Sequence, residues 1–236
     1  MTRSQPIVAI DGPAGAGKSS VTRRVAERLG YRVLDTGALY RSVALAAERA
    51  AVPVEDETRV ASIASAMAAE GAVEFVPDVS AGQRVLLRGE DVTLAIRTQA
   101  ASDGASRVSA LPAVRAALLE LQRAIGRKGG VVVEGRDIGS VVFPDAEAKF
   151  FLTASAEERA RRRHAELLAR GVAAEYGVIL AEVIERDERD MTRSAAPLIQ
   201  APDARAIESS ALSIEEVVDI IVERVQDVSL RLLEQD

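Results

Sequence analysis

Residues 7–19, Ile-Val-Ala-Ile-Asp-Gly-Pro-Ala-Gly-Ala-Gly-Lys-Ser, constrain what this chain can fold into more than any other stretch. Ile7 to Ile10 form an apolar run of the length expected for a short buried strand. Gly12-x-x-x-x-Gly17-Lys18-Ser19 follows and matches the phosphate-binding loop pattern G-x-x-x-x-G-K-[ST] at every fixed position. Glycines let the backbone turn successive N–H groups toward one anion. Lys18 supplies a mobile point charge for β- and γ-phosphates, and Ser19 offers a hydroxyl to Mg²⁺. Val21, Val25 and Leu29 then recur at helical spacing, and Gly30 stands where that helix should stop. Strand before and helix after is the context the motif needs, and the helix points its positive end at the same phosphate. The stretch specifies a nucleotide and a phosphoryl group. It leaves open what receives the phosphate.

Composition narrows the field. A chain of 236 residues can bury one sizeable core, with room for a smaller insert. Apolar residues make up 48% but aromatic ones only 3%, so an interior packed with Ala, Val and Leu is expected. Without cysteine there is no disulfide or thiolate chemistry, and a single histidine, His164, argues against histidine zinc sites and Ser/His/Asp triads. The net charge of −6 argues against a nucleic-acid binder. The arginines are nonetheless bunched at 159–163, at 186–193 and around 136, which suits small anions. No apolar run approaches the ~20 residues of a membrane helix. Residues 1–6 lack the apolar stretch of a signal peptide. A cytoplasmic enzyme is expected, with no membrane or nucleic-acid partner, and as a monomer because no apolar stripe is left unexplained.

Taken in order, Tyr31–Leu34 reads as a second strand and 38–51 as an alanine-rich helix broken by Pro53. Strand, helix, strand, helix points to a parallel α/β sheet. From about Glu74 the pattern changes to short strand-like runs, 72–76 and 84–87, with a third run expected from Val92. Tight turns at Gly82 and 89–91 mark an antiparallel β insert, bounded loosely at 60–105. A helix opening at Pro112 runs to Gly126, and strands follow at 131–133 and 149–152. Ser155-x-x-Glu158 and Ser213-x-x-Glu216 are capping boxes that open helices. A second arginine-rich helix is expected over 175–194 and a last strand over 203–207. The fold class is therefore α/β, with 1–59 and 106–236 as the core.

Four constellations carry chemistry. Asp35-Thr-Gly-Ala-Leu-Tyr-Arg41 leaves the second strand at the edge where ligands bind in open parallel sheets. Read alone, Arg41 fits either an acceptor's phosphate or a surface helix capped by Asp35. Gly135-Arg-Asp-Ile-Gly139 leaves a buried strand at the same edge, and an arginine beside a carboxylate between glycines makes little sense as core. Arg186, Asp190 and Arg193 fall at i, i+4 and i+7, one helix face, which fits a site or a solvated ion-paired surface. Arg159 and Arg163 stand at i and i+4 with Arg162 beside them, a like-charged cluster that a polyphosphate would neutralise or that solvent would. Together they meet the demands of phosphoryl transfer, which are positioning, Mg²⁺ and cations about the transferring group.

These segments, with Ile96-Arg-Thr-Gln99, Val142-Phe-Pro-Asp145 and Glu185-Arg-Asp-x-x-Asp190-x-x-Arg193, occur in an order and spacing that resemble the bacterial cytidylate kinases, nucleoside-monophosphate kinases of the P-loop class. The resemblance runs from about residue 6 to 225. It implies a three-layer fold with a five-stranded parallel sheet, a nucleoside-monophosphate-binding insert at 60–105 and a short helical lid at about 155–194. It implies transfer of phosphate from ATP to CMP or dCMP, with Mg²⁺ held at Ser19. By match of motif, Gly12, Pro13, Ala14, Gly15, Ala16, Gly17, Lys18, Ser19 and Ser20 would hold ATP, with Arg159 and Arg163 from the lid. Arg41 and Arg136 would hold the CMP phosphate. Thr36, Arg115, Asp137 and Arg193 would line the cytosine pocket beside Tyr40, and Ser106, Arg186 and Asp190 would hold the sugar. Lys18, Arg136 and Arg163 would serve transfer itself.

The chemistry of cytosine agrees. Its exocyclic amine suits the Asp137 carboxylate, and its N3 and O2 acceptors suit Arg115 or Arg193; uracil reverses the first pair. No general base is needed, because a phosphate oxygen is already anionic. The rivals are a kinase for UMP, AMP or a shikimate-like acceptor, and a P-loop regulatory protein, in which the acceptor-side arginines would have no purpose.

Overall fold

The computed structural model describes residues 3, 5–78, 82–169 and 171–234. Residues 79–81, within the expected insert, lie outside the described residues. Contacts divide the chain into two compact units, residues 1–33 with 128–236, and residues 34–127.

The first unit is built on strands with little polar content. β1 (Ile7–Asp11) is buried at every position, and β2 (Arg32–Asp35) is the strand at which the chain passes into the second unit. Of the remaining core strands, β6 (Val131–Gly135) is also wholly buried, while β7 (Ala148–Thr153) and β8 (Arg205–Glu208) complete the sheet. Their order is β2-β6-β1-β7-β8, and β1 pairs in parallel with both β6 and β7. A strand buried on both faces needs a continuous apolar run, which the valine and isoleucine stretches supply. The register places Asp11 opposite Gly135 and Phe151, so the loops leaving β1 and β6 start side by side. β1, β7, α1 (Lys18–Leu29) and α8 (Ile214–Leu233) form a core in which Val8, Ile10, Val21, Val25, Phe150, Leu152, Ile221 and Val225 are buried. Gly30 ends α1, and the capping box expected at Ser213 forms in full. Ser155 caps α6 (Ala156–Ala169) through the amide of Glu158 at 3.1 Å, and α7 (Tyr176–Thr192) packs against α6.

The second unit holds α2 (Thr36–Arg49), α3 (Glu57–Glu70), α4 (Gln99–Val108) and α5 (Pro112–Gly126), with a three-stranded antiparallel sheet of β3 (Val73–Asp78), β4 (Gly82–Leu87) and β5 (Glu90–Asp91). Two helices here depart from the all-strand reading. α3 is capped by Asp56, which accepts the Arg59 amide at 3.1 Å, and buries Val60, Ala64 and Met67 at i, i+4 and i+7. Its stripe is narrow because only small or polar residues flank it apart from Ile63. α4 contains Gly104, where a Cβ would lie 3.0 Å from that of Ala44, so the glycine serves close packing on α2. The third strand also begins earlier than Val92: Glu90 and Asp91 pair with β4, and the Thr93 hydroxyl instead accepts the amide of Val85 at 2.9 Å. Among the described residues no helix is long and apolar enough to cross a membrane.

Candidate active site

The loop after β1 takes its shape from close contact with β7. Gly12 has φ +149°, and a Cβ there would come within 1.9 Å of the Leu152 carbonyl oxygen, so no other residue fits. Gly17, at φ +91°, turns the chain into α1. Lys18 opens that helix with its side chain folded back over the loop. Nζ donates to the carbonyls of Gly12 at 2.7 Å and Pro13 at 2.6 Å. Burial and then the positive field of Arg136 push its pKa well below the ordinary lysine value; Glu134 opposes them. Arg186 also lowers it and Asp11 also raises it, so the Lys18 ammonium feels charge of both signs from within its own unit.

Ser19 donates through its hydroxyl to Glu134 Oε2 at 2.9 Å. Glu134 sits near the end of a wholly buried strand and is itself 6% exposed. A hydroxyl and a carboxylate one hydrogen bond apart, beside the phosphate loop, suit a hard divalent cation. Among the described residues no group of three or more His, Cys, Asp or Glu could cage a metal alone. That fits Mg²⁺, which takes most of its ligands from phosphate and water.

The loop after β6 is the second half of this unit's site. Arg136 Nε donates to Asp190 Oδ2 at 2.9 Å. Burial alone would raise the Asp190 carboxyl, but Arg136, with Arg186 and Arg193 nearby, holds it below the usual carboxylate value. Arg193 Nη2 stands 3.6 Å from Asp137 Oδ1, and both residues are buried. The structure therefore joins Arg136, Asp137, Asp190 and Arg193 in one network, with Arg186 in its field. Arg193 does not share a helix face with Arg186 and Asp190. It falls one residue past the end of α7, in extended backbone, where its Nε takes the Ala196 carbonyl at 2.7 Å.

Within the second unit Asp35 does two things at once. Oδ1 caps α2 by accepting the Ala38 amide at 3.0 Å, and Oδ2 accepts from Arg41 Nη2 at 2.6 Å. The Arg41 Nε is buried with no hydrogen-bond partner among the described residues. Pro112 starts α5 and puts Arg115 one turn in, its guanidinium 5.6 Å from the centroid of the Tyr40 ring and its Nη1 on the Ser109 carbonyl at 3.2 Å. Thr36 and Ser106 are buried.

The arginines of α6 diverge. Arg159 turns inward, 4% exposed, with Nη1 on the Ala14 carbonyl of the phosphate loop at 3.0 Å. Arg163 lies at the surface and pairs with Glu166 at 3.1 Å. Arg162 is the one nearest the loop's far end: a Cβ on Gly17 would lie 3.9 Å from its Nη1. Sequence reasoning passed over Glu134 and Asp11, although each is a carboxylate that follows an unbroken apolar run. It also passed over Asp187, which has no such signal in a helix crowded with charge.

The sequence and the fold have counterparts among known proteins. The family model described as cytidylate kinase matches residues 8–227. A cytidylate kinase of Geobacter sp. strain M21 is 52% identical over 221 residues, covering 94% of this chain and 93% of that protein. One from Pelotomaculum thermopropionicum is 52% identical over 222 residues, covering 94% of this chain and 96% of that protein. An uncharacterized protein of Eubacterium ventriosum shares the fold at a TM-score of 0.52 and 12% identity, covering 94% of this chain and 99% of that one. This chain belongs to the cytidylate kinase family.

Proposed function

We propose that the protein transfers the γ-phosphoryl group of ATP to CMP or dCMP, giving ADP and CDP or dCDP. The observation that carries this reading is the pairing, within one unit, of a phosphate loop with an arginine–carboxylate network that the loop does not need. Lys18 and the amides leading into α1 hold the donor's phosphates. Arg136 and Arg186 bring positive charge to the same point, where an anionic acceptor would otherwise be repelled. Ser19 and Glu134 hold Mg²⁺, which offsets charge on the donor's phosphates.

On the acceptor side, Arg41 and Arg136 hold the CMP phosphate, and Ser106, Arg186 and Asp190 hold the sugar. Asp137 accepts the cytosine amine, while Thr36, Tyr40, Arg115 and Arg193 complete the base pocket. Residues 60–105 act as the insert that carries the monophosphate, and 155–194 act as the lid that excludes water. Arg163 swings from its surface pair with Glu166 onto the ATP phosphates, and Arg159 supports the donor side. The protein works as a cytoplasmic monomer on free nucleotides.

A panel of CMP, dCMP, UMP, AMP and shikimate with ATP, read by coupled ADP release, tests the reading. Strong turnover with CMP or dCMP and little with the others is expected. Turnover that ignores CMP would sink it.

A further inference from the structure

The last residue of β1 carries a carboxylate into an otherwise apolar strand. Asp11 is 4% exposed. Its Oδ1 accepts the amide of Ile138 at 2.7 Å and its Oδ2 accepts the amide of Gly139 at 2.7 Å. The sheet registers Asp11 against Gly135. One residue thus stands at the start of two loops: Gly12 follows it in the chain, and Arg136 follows its register partner. Both oxygens are engaged by the backbone of the second loop, so the carboxylate has a defined task there.

What it holds is a single wide turn, Ile138–Val142, in which the amides of Val141 and Val142 both return to the Asp137 carbonyl. Asp137 sits at the origin of that turn with its side chain toward Arg193. The turn has no slack on its inner side. A Cβ on Gly139 would come within 3.1 Å of Lys149 Cδ and 3.4 Å of Asp11 Oδ2. A buried carboxylate is costly unless its hydrogen bonds are made, and a fold that needed only a strand end would do as well with a valine.

We infer that Asp11 is a positioning residue of the acceptor site: by holding the amides of Ile138 and Gly139 it sets Arg136 and Asp137 in register with the phosphate loop that begins at Gly12. Its two oxygens are engaged by backbone amides, so its effect reaches the acceptor through the turn. This rests on the reading that CMP is the acceptor, and it adds a residue whose effect falls on one substrate although it adjoins the loop for the other. A misplacement on the order of an ångström in a positioning network lowers rates on the order of a hundredfold.

Asp11→Asn keeps the shape but sets an amide N–H against one backbone N–H. The full chain is assayed for ADP release at saturating ATP with CMP and with UMP, and for binding of a fluorescent ADP analogue without acceptor. The expected result is a KM for CMP raised on the order of tenfold or more, a CMP-over-UMP preference narrowed to match, and ADP binding within about threefold of wild type. A role in folding alone would lower the Tm without moving that preference. Unchanged CMP kinetics, or ADP binding weakened as much as CMP binding, overturns the inference. If Asp11→Asn does not fold, Gly139→Ala presses a methyl group toward Asp11 and Lys149 and displaces the same turn, and wild-type CMP kinetics there overturns it equally. A wild-type enzyme without CMP-dependent turnover fails the functional reading itself, and the inference with it. Normal wild-type turnover with an unaltered variant fails the inference alone.

Discussion

Arg159 and Asp187 form a bidentate ion pair, Nη1 to Oδ1 at 3.0 Å and Nη2 to Oδ2 at 2.5 Å, almost wholly out of water. Two further donors go to backbone carbonyls, Nε to Ala154 at 2.9 Å and Nη1 also to Ala14 at 3.0 Å. The pair therefore ties α6 to α7 and braces the phosphate loop from below. Removing one partner leaves a buried charge uncompensated, so Asp187→Ala should lose about 3–5 kcal/mol of stability by denaturant unfolding. Replacing both residues by hydrophobic ones of similar volume, Arg159→Met with Asp187→Leu, should recover most of that loss. Stability left unaltered by Asp187→Ala would show that the pair is not the brace.

Lys18 makes no hydrogen bond beyond its own loop's two carbonyls among those described, and on the proposed reading its charge meets the donor's phosphates. Lys18→Ala should fold normally, since the side chain supports no packing core, and lower kcat on the order of a hundredfold to a thousandfold. Circular dichroism checks the first clause and steady-state ADP release the second. A near-normal turnover would remove Lys18 from the reaction.

How much of this was legible in the chain follows from what each feature depends on. The phosphate loop, the sheet strands and the capping box at Ser213 are local, and at Ser155 the serine half of the expected box forms while Glu158 turns to Arg161 and Arg162. Lys18, Ser155 and Ser213 announce themselves because their partners lie a few positions away, and Gly12 through its motif. Asp11 and Glu134 were visible as carboxylates closing apolar runs, but their meaning lies in partners more than a hundred residues distant, Ile138 and Ser19. α3 and α4 were missed because their buried faces rest on small residues, Ala64 in one and Ala105 with Ser106 in the other, and the packing of Gly104 depends on Ala44, sixty residues away. Arg159 and Arg163 look equivalent at i and i+4, yet only Asp187 decides that one turns inward, and a charge-rich helix gives no sign of which acidic residue will do so.

On the proposed reading, Asp137 is the residue that accepts the cytosine amine. It stands 3.6 Å from Arg193, and the two are buried together, which offers an acceptor and donors to one ring edge. Asp137→Ala should lower kcat/KM for CMP on the order of a hundredfold or more, while ADP binding measured without acceptor changes little. Asp137→Asn should also narrow the preference for CMP over UMP, because an amide can donate to the uracil carbonyl. CMP kinetics unchanged in both variants would remove Asp137 from the base pocket.

Asp11 also gives the protein a pH signature of unusual sign. Burial, with Asp137 adding like charge, pushes its carboxyl up to about 6 from 3.8, against the amides of Gly139 and Ile138 and the charge of Lys18. Between these values the folded protein keeps a proton that the unfolded chain has released, so this group's contribution to stability falls as pH rises from about 4 to about 6. The total is about 3 kcal/mol at 1.36 kcal/mol per unit. Asp190 has the opposite sign: its lowered carboxyl contributes stability above its unfolded value that is lost only in stronger acid. Comparison with Asp11→Asn separates the first effect, since the variant removes this carboxyl and leaves Asp190 in place. Urea unfolding at pH 4.5 and 7.5 should show the advantage of wild type over the variant shrinking at the higher pH. An advantage that stays constant or grows with pH would mean that the buried carboxyl titrates near its ordinary value, and that its hydrogen bonds to Ile138 and Gly139 fully offset its burial.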